Sequence, residues 1–117
     1  MLWRMTTFDT GRQAEAAAAA YLKRQGCKVI ARNWRTRRCE IDIVAFHSGV
    51  MYFCEVKYRL HNRQGAGLDY ITPKKLRQMH FAAELWLAAH DWRGDWRLCA
   101  LEVSGPAFRI TAVAKDV

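Results

Sequence analysis

Two acidic residues interrupt a stretch that is otherwise written as a pair of β-strands, CEIDIVAFHSGVMYFCEVKYR over residues 39–59. Ile41, Ile43 and Ala45 alternate with Glu40, Asp42 and Val44, and the run from Met51 to Tyr58 is rich in aromatic and β-branched residues. His47-Ser48-Gly49 between them supplies turn chemistry, which predicts a hairpin. With Ser48-Gly49 as a two-residue loop, His47 faces Val50, and counting back along both strands sets Asp42 opposite Glu55, with Cβ atoms about 4.5–5.5 Å apart. Lys57 shares that face by the strand period of two, opposite Glu40. Two facing carboxylates repel unless one holds a proton or a cation lies between them. Hard oxygen donors on a rigid sheet suit Mg²⁺ or Mn²⁺, and a lysine two residues on is suited to orient a nucleophilic water or steady a phosphoryl oxygen. The chemistry is metal-assisted phosphodiester hydrolysis, with Asp42 and Glu55 as metal ligands and Lys57 orienting the nucleophile. Pattern alone leaves a second reading open, in which Glu40 and Lys57 form an ordinary cross-strand ion pair on a solvated acidic face. Glu55, set between Cys54 and Val56 on a face that also carries Phe53, favours the first.

These residues need flanking elements to position them. Thr10-Gly11-Arg12-Gln13 fits a capping box and predicts a helix running to about Gln25, with Gly26 as its stop. Glu15, Ala18, Ala19 and Leu22 form one stripe at helical spacing, which points Glu15 along the packed side; the alternative is a solvated acid favoured by the helix dipole. Cys27 to Trp34 reads as the first strand, and Arg32, Arg35, Arg37 and Arg38 concentrate positive charge around the turn that follows it. Leu60 to Tyr70 reads as a long loop. Thr72-Pro73 opens a second helix with Leu76, Met79, Ala83, Trp86 and Leu87 as its apolar stripe, fading near His90. Lys74, Lys75 and Arg77 crowd its first turns against the macrodipole, as if an anion sat there. Strands are expected at Trp96–Val103 and Phe108–Val113, turned by Ser104-Gly105-Pro106. The order α-β-β-β-α-β-β predicts an α/β fold, a central mixed five-stranded sheet flanked by helices.

The chain of 117 residues, with no linker or repeat, is expected to form one domain over residues 1–117. Nineteen Lys plus Arg against eleven Asp plus Glu give a net charge of +8, which argues for a polyanion, first of all nucleic acid. No stretch approaches the roughly 20 apolar residues of a spanning helix, so no membrane is expected. Cys27, Cys39, Cys54 and Cys99 lack zinc spacing and read as buried reduced thiols in strand-like runs. The start, MLWRMTTF, lacks the apolar core of a secretory signal, which predicts a cytoplasmic protein. The four histidines show no ligand spacing and read as surface or turn residues.

Taken together, Gly11-x-x-Ala14-Glu15, Tyr21-Leu22, Asn33-x-Arg35, Glu40-Ile41-Asp42, Glu55-Val56-Lys57-x-Arg59 and Lys75 resemble the YraN-like family of small bacterial proteins. That family is similar in fold to the PD-(D/E)XK nucleases and to archaeal Holliday-junction resolvases, and the likeness spans roughly residues 8 to 115. The resemblance implies a restriction-endonuclease-like core. It matches Asp42 and Glu55 to the metal-binding acids, Lys57 to the motif lysine, Glu15 to the acid of the first helix and Lys75 to a basic residue opening the second. Two positions depart: Cys39 stands where the family usually has Gly, and Cys99 where an Asp is common. The expectation is a Mg²⁺-dependent endonuclease-like protein acting on DNA, including branched DNA, with Asp42, Glu55, Lys57 and Glu15 in the catalytic site. Arg35, Arg59, Lys74, Lys75 and Arg77 would contact the nucleic acid, and a homodimer follows by analogy with junction resolvases. A non-catalytic nucleic-acid-binding module of the same fold is the alternative; an adaptor in DNA uptake or repair is a third.

Overall fold

The computed structural model describes residues 6–61 and 67–117. The first five residues and part of the expected 60–70 loop therefore lie outside the described residues. Helix α1 spans Thr7–Arg24, β1 Lys28–Arg35, β2 Glu40–His47, β3 Val50–Arg59, α2 Pro73–His90, β4 Asp95–Ser104 and β5 Arg109–Ala114. The strands form one sheet in the order β1-β2-β3-β4-β5, parallel between β3 and β4 and antiparallel elsewhere. The mixed sheet and the α-β-β-β-α-β-β order are those the sequence predicts. Helix α2 is the crossover that a parallel β3–β4 pair requires.

Helix α1 begins one turn earlier than expected. Thr6 is its N-cap: the Thr6 hydroxyl accepts from the Asp9 amide at 3.1 Å, and Asp9 Oδ2 accepts from the Thr6 hydroxyl at 2.8 Å. Asp9 thus takes the place of the Glu or Gln of the usual capping box. Thr10, the expected cap, lies within the helix and donates its hydroxyl to the Thr6 carbonyl at 2.9 Å. The end is as expected: Gly26 takes φ 91°, its amide bonds the Lys23 carbonyl at 3.0 Å, and the Cys27 amide bonds the Leu22 carbonyl at 2.9 Å, a Schellman closure. Thr72 caps α2 by accepting from the Lys75 amide at 3.1 Å, with Pro73 following.

The two helices cover opposite faces. Ala14, Ala18, Ala19 and Leu22 of α1 pack on Ile43, Ala45, Cys54, Leu101 and Val103. Met79, Ala82, Ala83 and Trp86 of α2 pack on Val44, Met51, Phe53 and Leu98. Alanine at the α1 contact lets the helix axis approach the sheet closely. The expected alternation of Ile41, Ile43 and Ala45 breaks: Ile41 packs with the α2 cluster, Ile43 and Ala45 with the α1 cluster. Beside this break, in the neighbouring strand, Asn33 adopts φ 54° between the paired residues Arg32–Ile43 and Trp34–Ile41. A left-handed residue inside a strand re-aims the side chains around it, and the face changes at Asp42.

The thiols also divide. Cys54 and Cys99 are buried neighbours across β3 and β4, as expected of core cysteines, and their mutual contact together with burial pushes the Cys54 thiol well above its ordinary range. Cys27 and Cys39 are half-buried and sit just outside the strands that the sequence placed them in. No helix among the described residues is long and apolar enough to cross a membrane.

Candidate functional site

Ser48 and Gly49 take φ 49° and 81°, the double left-handed turn that matches the twist of a two-residue hairpin. His47 faces Val50, and the counted register holds pair by pair to Ile43–Cys54. There the ladder stops, one pair short of Asp42 and Glu55. In place of a backbone partner, Asp42 Oδ2 accepts the Val56 amide at 2.8 Å. A side chain standing in for a strand carbonyl holds the fork between β2 and β3 at a fixed opening.

The acids emerge on two sides of this fork. Asp42 lines an open recess of about 190 Å³ against α1, together with Glu15, Asn33 and Arg35. Glu55 lines a second recess of about 630 Å³ against the start of α2, together with Arg38, Lys74, Lys75 and Arg77. Glu40 lines both and stands between them. Glu40 is not opposite Lys57, as the hairpin count had it; it pairs across β1 with Arg35, whose Nε lies 3.3 Å from Glu40 Oε2. The reason is again the fork, since β2 at Glu40 has left β3 and retains only β1 as a neighbour.

Burial pushes the Asp42 carboxyl up to about 7, and among charges Glu55 acts most strongly in the same direction, with Glu15 and Glu40 adding to it; the Val56 amide opposes them. Glu15 is buried, on the packed side of α1, and its carboxyl is also raised, chiefly by burial, with Arg32 Nε at 3.4 Å partly offsetting it. Glu55 Oε1 meets Lys75 Nζ at 2.7 Å. The anion that the basic start of α2 called for is thus, for Lys75, the Glu55 carboxylate, while Lys74 and Arg77 line the recess wall. Lys57 is exposed and makes no ion pair among the described residues.

Arg59 is otherwise engaged. Its Nη2 lies 2.6 Å from Asp69 Oδ1 and its Nε 2.8 Å from Glu102 Oε2, the latter an ion contact outside hydrogen-bond geometry. Glu102 is 1% exposed, accepts the Gly67 amide at 2.7 Å and takes the Thr111 hydroxyl at 2.7 Å. This buried acid ties the chain entering α2 to the end of β3 and to β5. Sequence reading missed it, although the signal was the one used for the hairpin: a carboxylate inside an apolar strand, LCALEVS.

Among the described residues no group of three or more His, Cys, Asp or Glu side chains is disposed to hold a metal. Asp42 and Glu55 supply two hard oxygen donors, and Mg²⁺ characteristically takes one or two carboxylates and completes its shell with water. A cation would also relieve the repulsion that raises Asp42. In type and number these donors suit such an ion; they line separate recesses, with Glu40 between them.

A five-stranded mixed sheet with one helix on each face, in the order α-β-β-β-α-β-β, and acids placed where a central hairpin forks define the class of fold, an α/β sheet domain. The sequence pattern of the uncharacterised protein family UPF0102 matches residues 14–113, and the chain belongs to that family. A UPF0102 protein of Cytophaga hutchinsonii is 38% identical over 101 residues, covering 86% of this chain and 89% of the relative. One from Chlorobium chlorochromatii is 38% identical over 99 residues, covering 85% and 77%. One from Pseudomonas aeruginosa is 39% identical over 100 residues, covering 86% and 79%. The YraN-like resemblance read from the motifs is this family.

Proposed function

We propose that this protein is a Mg²⁺-dependent, endonuclease-like protein that hydrolyses phosphodiester bonds in DNA. The observation that carries the reading is Asp42: a carboxyl held at a strand fork, raised to about 7 by burial and by Glu55. Structural acids are normally placed where their charge is compensated; an acid whose charge is made costly beside a second acid is the arrangement that a cation or a proton transfer exploits. Asp42 and Glu55 would hold the ion, which supplies charge neutralisation at the phosphate and a readily ionised water. Glu15 keeps Asp42 under negative potential from the α1 side. Exposed Lys57 is suited to orient the attacking water. Lys75, now on Glu55, becomes available to a phosphate oxygen when Glu55 takes another partner. Lys74 and Arg77 with Arg38 on one side, and Arg35 on the other, draw the backbone across the fork, supported by the net charge of +8.

A specific observation favours the second reading, a DNA-binding module without catalysis: Glu55 is satisfied by Lys75 at 2.7 Å, and among the described residues no third acid completes the set. Calorimetric titration with Mn²⁺ separates the two. The nuclease reading expects binding that Asp42→Ala and Glu55→Ala abolish, and cleavage of plasmid, junction or single-stranded DNA that Lys57→Ala removes while DNA affinity is kept. A wild-type protein that binds no divalent ion and cuts none of these substrates, yet binds DNA, refutes it in favour of the module.

A further inference from the structure

Four large apolar side chains are exposed among the described residues: Phe8, Ile30, Leu60 and Phe81. The two aromatic ones are placed non-randomly. Phe8, 62% exposed, lines the recess that holds Asp42; Phe81, 42% exposed, lines the recess that holds Glu55. The helices present them in matching ways. On α1, Phe8, Gly11, Arg12 and Glu15 follow one another at helical spacing along the recess wall, and the Arg12 guanidinium lies over the Phe8 ring, 5.5 Å from its centroid. On α2, Lys74, Arg77, Gln78 and Phe81 do the same on the other wall.

Gly11 adds an independent observation. Glycine inside a helix costs about 1 kcal/mol relative to alanine. Nothing in the described chain explains it: φ is not positive, and a Cβ at Gly11 would meet no atom within 4 Å. The room beside Phe8 is kept open without serving the packing of the chain.

We infer that Phe8 and Phe81 are base-stacking platforms on either side of the acid fork, and that the DNA this protein engages is unpaired there. The inference rests on the nucleic-acid reading above and names its substrate class. In a duplex the base faces are covered by their neighbours, and a side chain at the backbone has no access to them. In a single strand each base offers a π-face, and an exposed aromatic beside basic residues binds it with little regard to sequence. Basic side chains line both recesses, and the exposed aromatic in each wall receives a base. A strand crossing from one recess to the other passes its phosphates over Glu40 between Asp42 and Glu55.

The test is fluorescence anisotropy with a labelled mixed-sequence oligodeoxynucleotide, single-stranded and annealed to its complement, in EDTA so that cleavage plays no part. Phe8→Leu and Phe81→Leu keep apolar bulk and remove the π-face; each should weaken single-strand binding roughly 5- to 150-fold and leave duplex binding unchanged. Gly11→Leu should raise the urea midpoint of unfolding, by helix propensity, and yet weaken single-strand binding. Leu variants that bind the single strand as the wild type does, or a wild type that prefers duplex, overturn the stacking inference while the DNA reading stands. Tighter binding to an oligoribonucleotide of the same sequence overturns the choice of DNA. A wild type that binds neither form overturns both.

Discussion

Replacing Asp42 with asparagine should stabilise the fold, and only at pH values where the native carboxylate would be ionised. The side-chain amide oxygen of the Asp42→Asn variant can still accept the Val56 amide that Asp42 Oδ2 accepts at 2.8 Å, so the fork keeps its pin. What is removed is charge. The folded Asp42 carboxyl titrates at about 7 against an ordinary 3.8, because burial and Glu55 both disfavour the carboxylate. The folded chain therefore holds a proton that the unfolded chain releases, so the stability it gains at low pH declines as pH rises from about 3.8 and is lost above about 7. A gap of about three pH units corresponds to about 4 kcal/mol, and solvent screening of a half-buried side chain reduces this to about 2 kcal/mol. The neutral variant escapes that loss. At pH 8 it should exceed wild type by about 2 kcal/mol, a melting temperature about 8 °C higher for a chain of this length, and at pH 4 the two should coincide. Urea unfolding in EDTA across that range measures it. A difference that does not vary with pH, or a variant less stable than wild type at pH 8, refutes the reasoning. Adding Mn²⁺ at pH 8 should then stabilise wild type and not the variant, by about 2.7 kcal/mol at a hundredfold excess over the dissociation constant.

Two predictions concern what holds the site in place. Glu102→Gln keeps an acceptor for the Gly67 amide, and its NH2 can donate to the Thr111 hydroxyl in place of accepting from it, but the variant leaves Arg59 facing a neutral, buried partner; it should cost about 2–4 kcal/mol in urea unfolding, and a cost below about 0.5 kcal/mol would mean that the ion contact is not structural. Ala18, fully buried between α1 and the sheet, should tolerate leucine only at a loss of about 1–3 kcal/mol, whereas Ala20→Leu on the exposed side of the same helix should stay within about 0.5 kcal/mol of wild type; equal melting temperatures for the two variants would show that the helix does not lie close on the sheet.

Local rules made much of this protein legible in advance. The Gly26 stop, the Thr72-Pro73 start and the Ser48-Gly49 turn each follow from residues adjacent in sequence, and the structure has all three. The hairpin register followed from the turn alone and holds through five pairs, because a two-residue loop leaves no freedom in which residues face each other. The helix stripe that pointed Glu15 inward needed only helical periodicity. The N-cap was misplaced by one turn because Asp9 does at N3 what Glu or Gln more often does.

The rest lay beyond sequence because it depends on a third strand or a distant partner. Asp42 and Glu55 were read as a ladder pair; the ladder ends one pair before them, where Asp42 takes the Val56 amide with its side chain and Asn33, on a strand not considered in that count, turns left-handed beside it. Lys75 was read as a lone cation at a helix start and has Glu55 for a partner, across a crossover of many residues. Arg59 was assigned to nucleic acid and meets Glu102 on the parallel neighbour strand. Sequence by itself determined the order of elements, the turn and the acids on the central hairpin, since periodicity and turn chemistry act between residues a few positions apart. Only the tertiary structure decided on which side of the fork each acid emerges and which base answers it, since burial and charge act through space between segments that the chain order does not bring together.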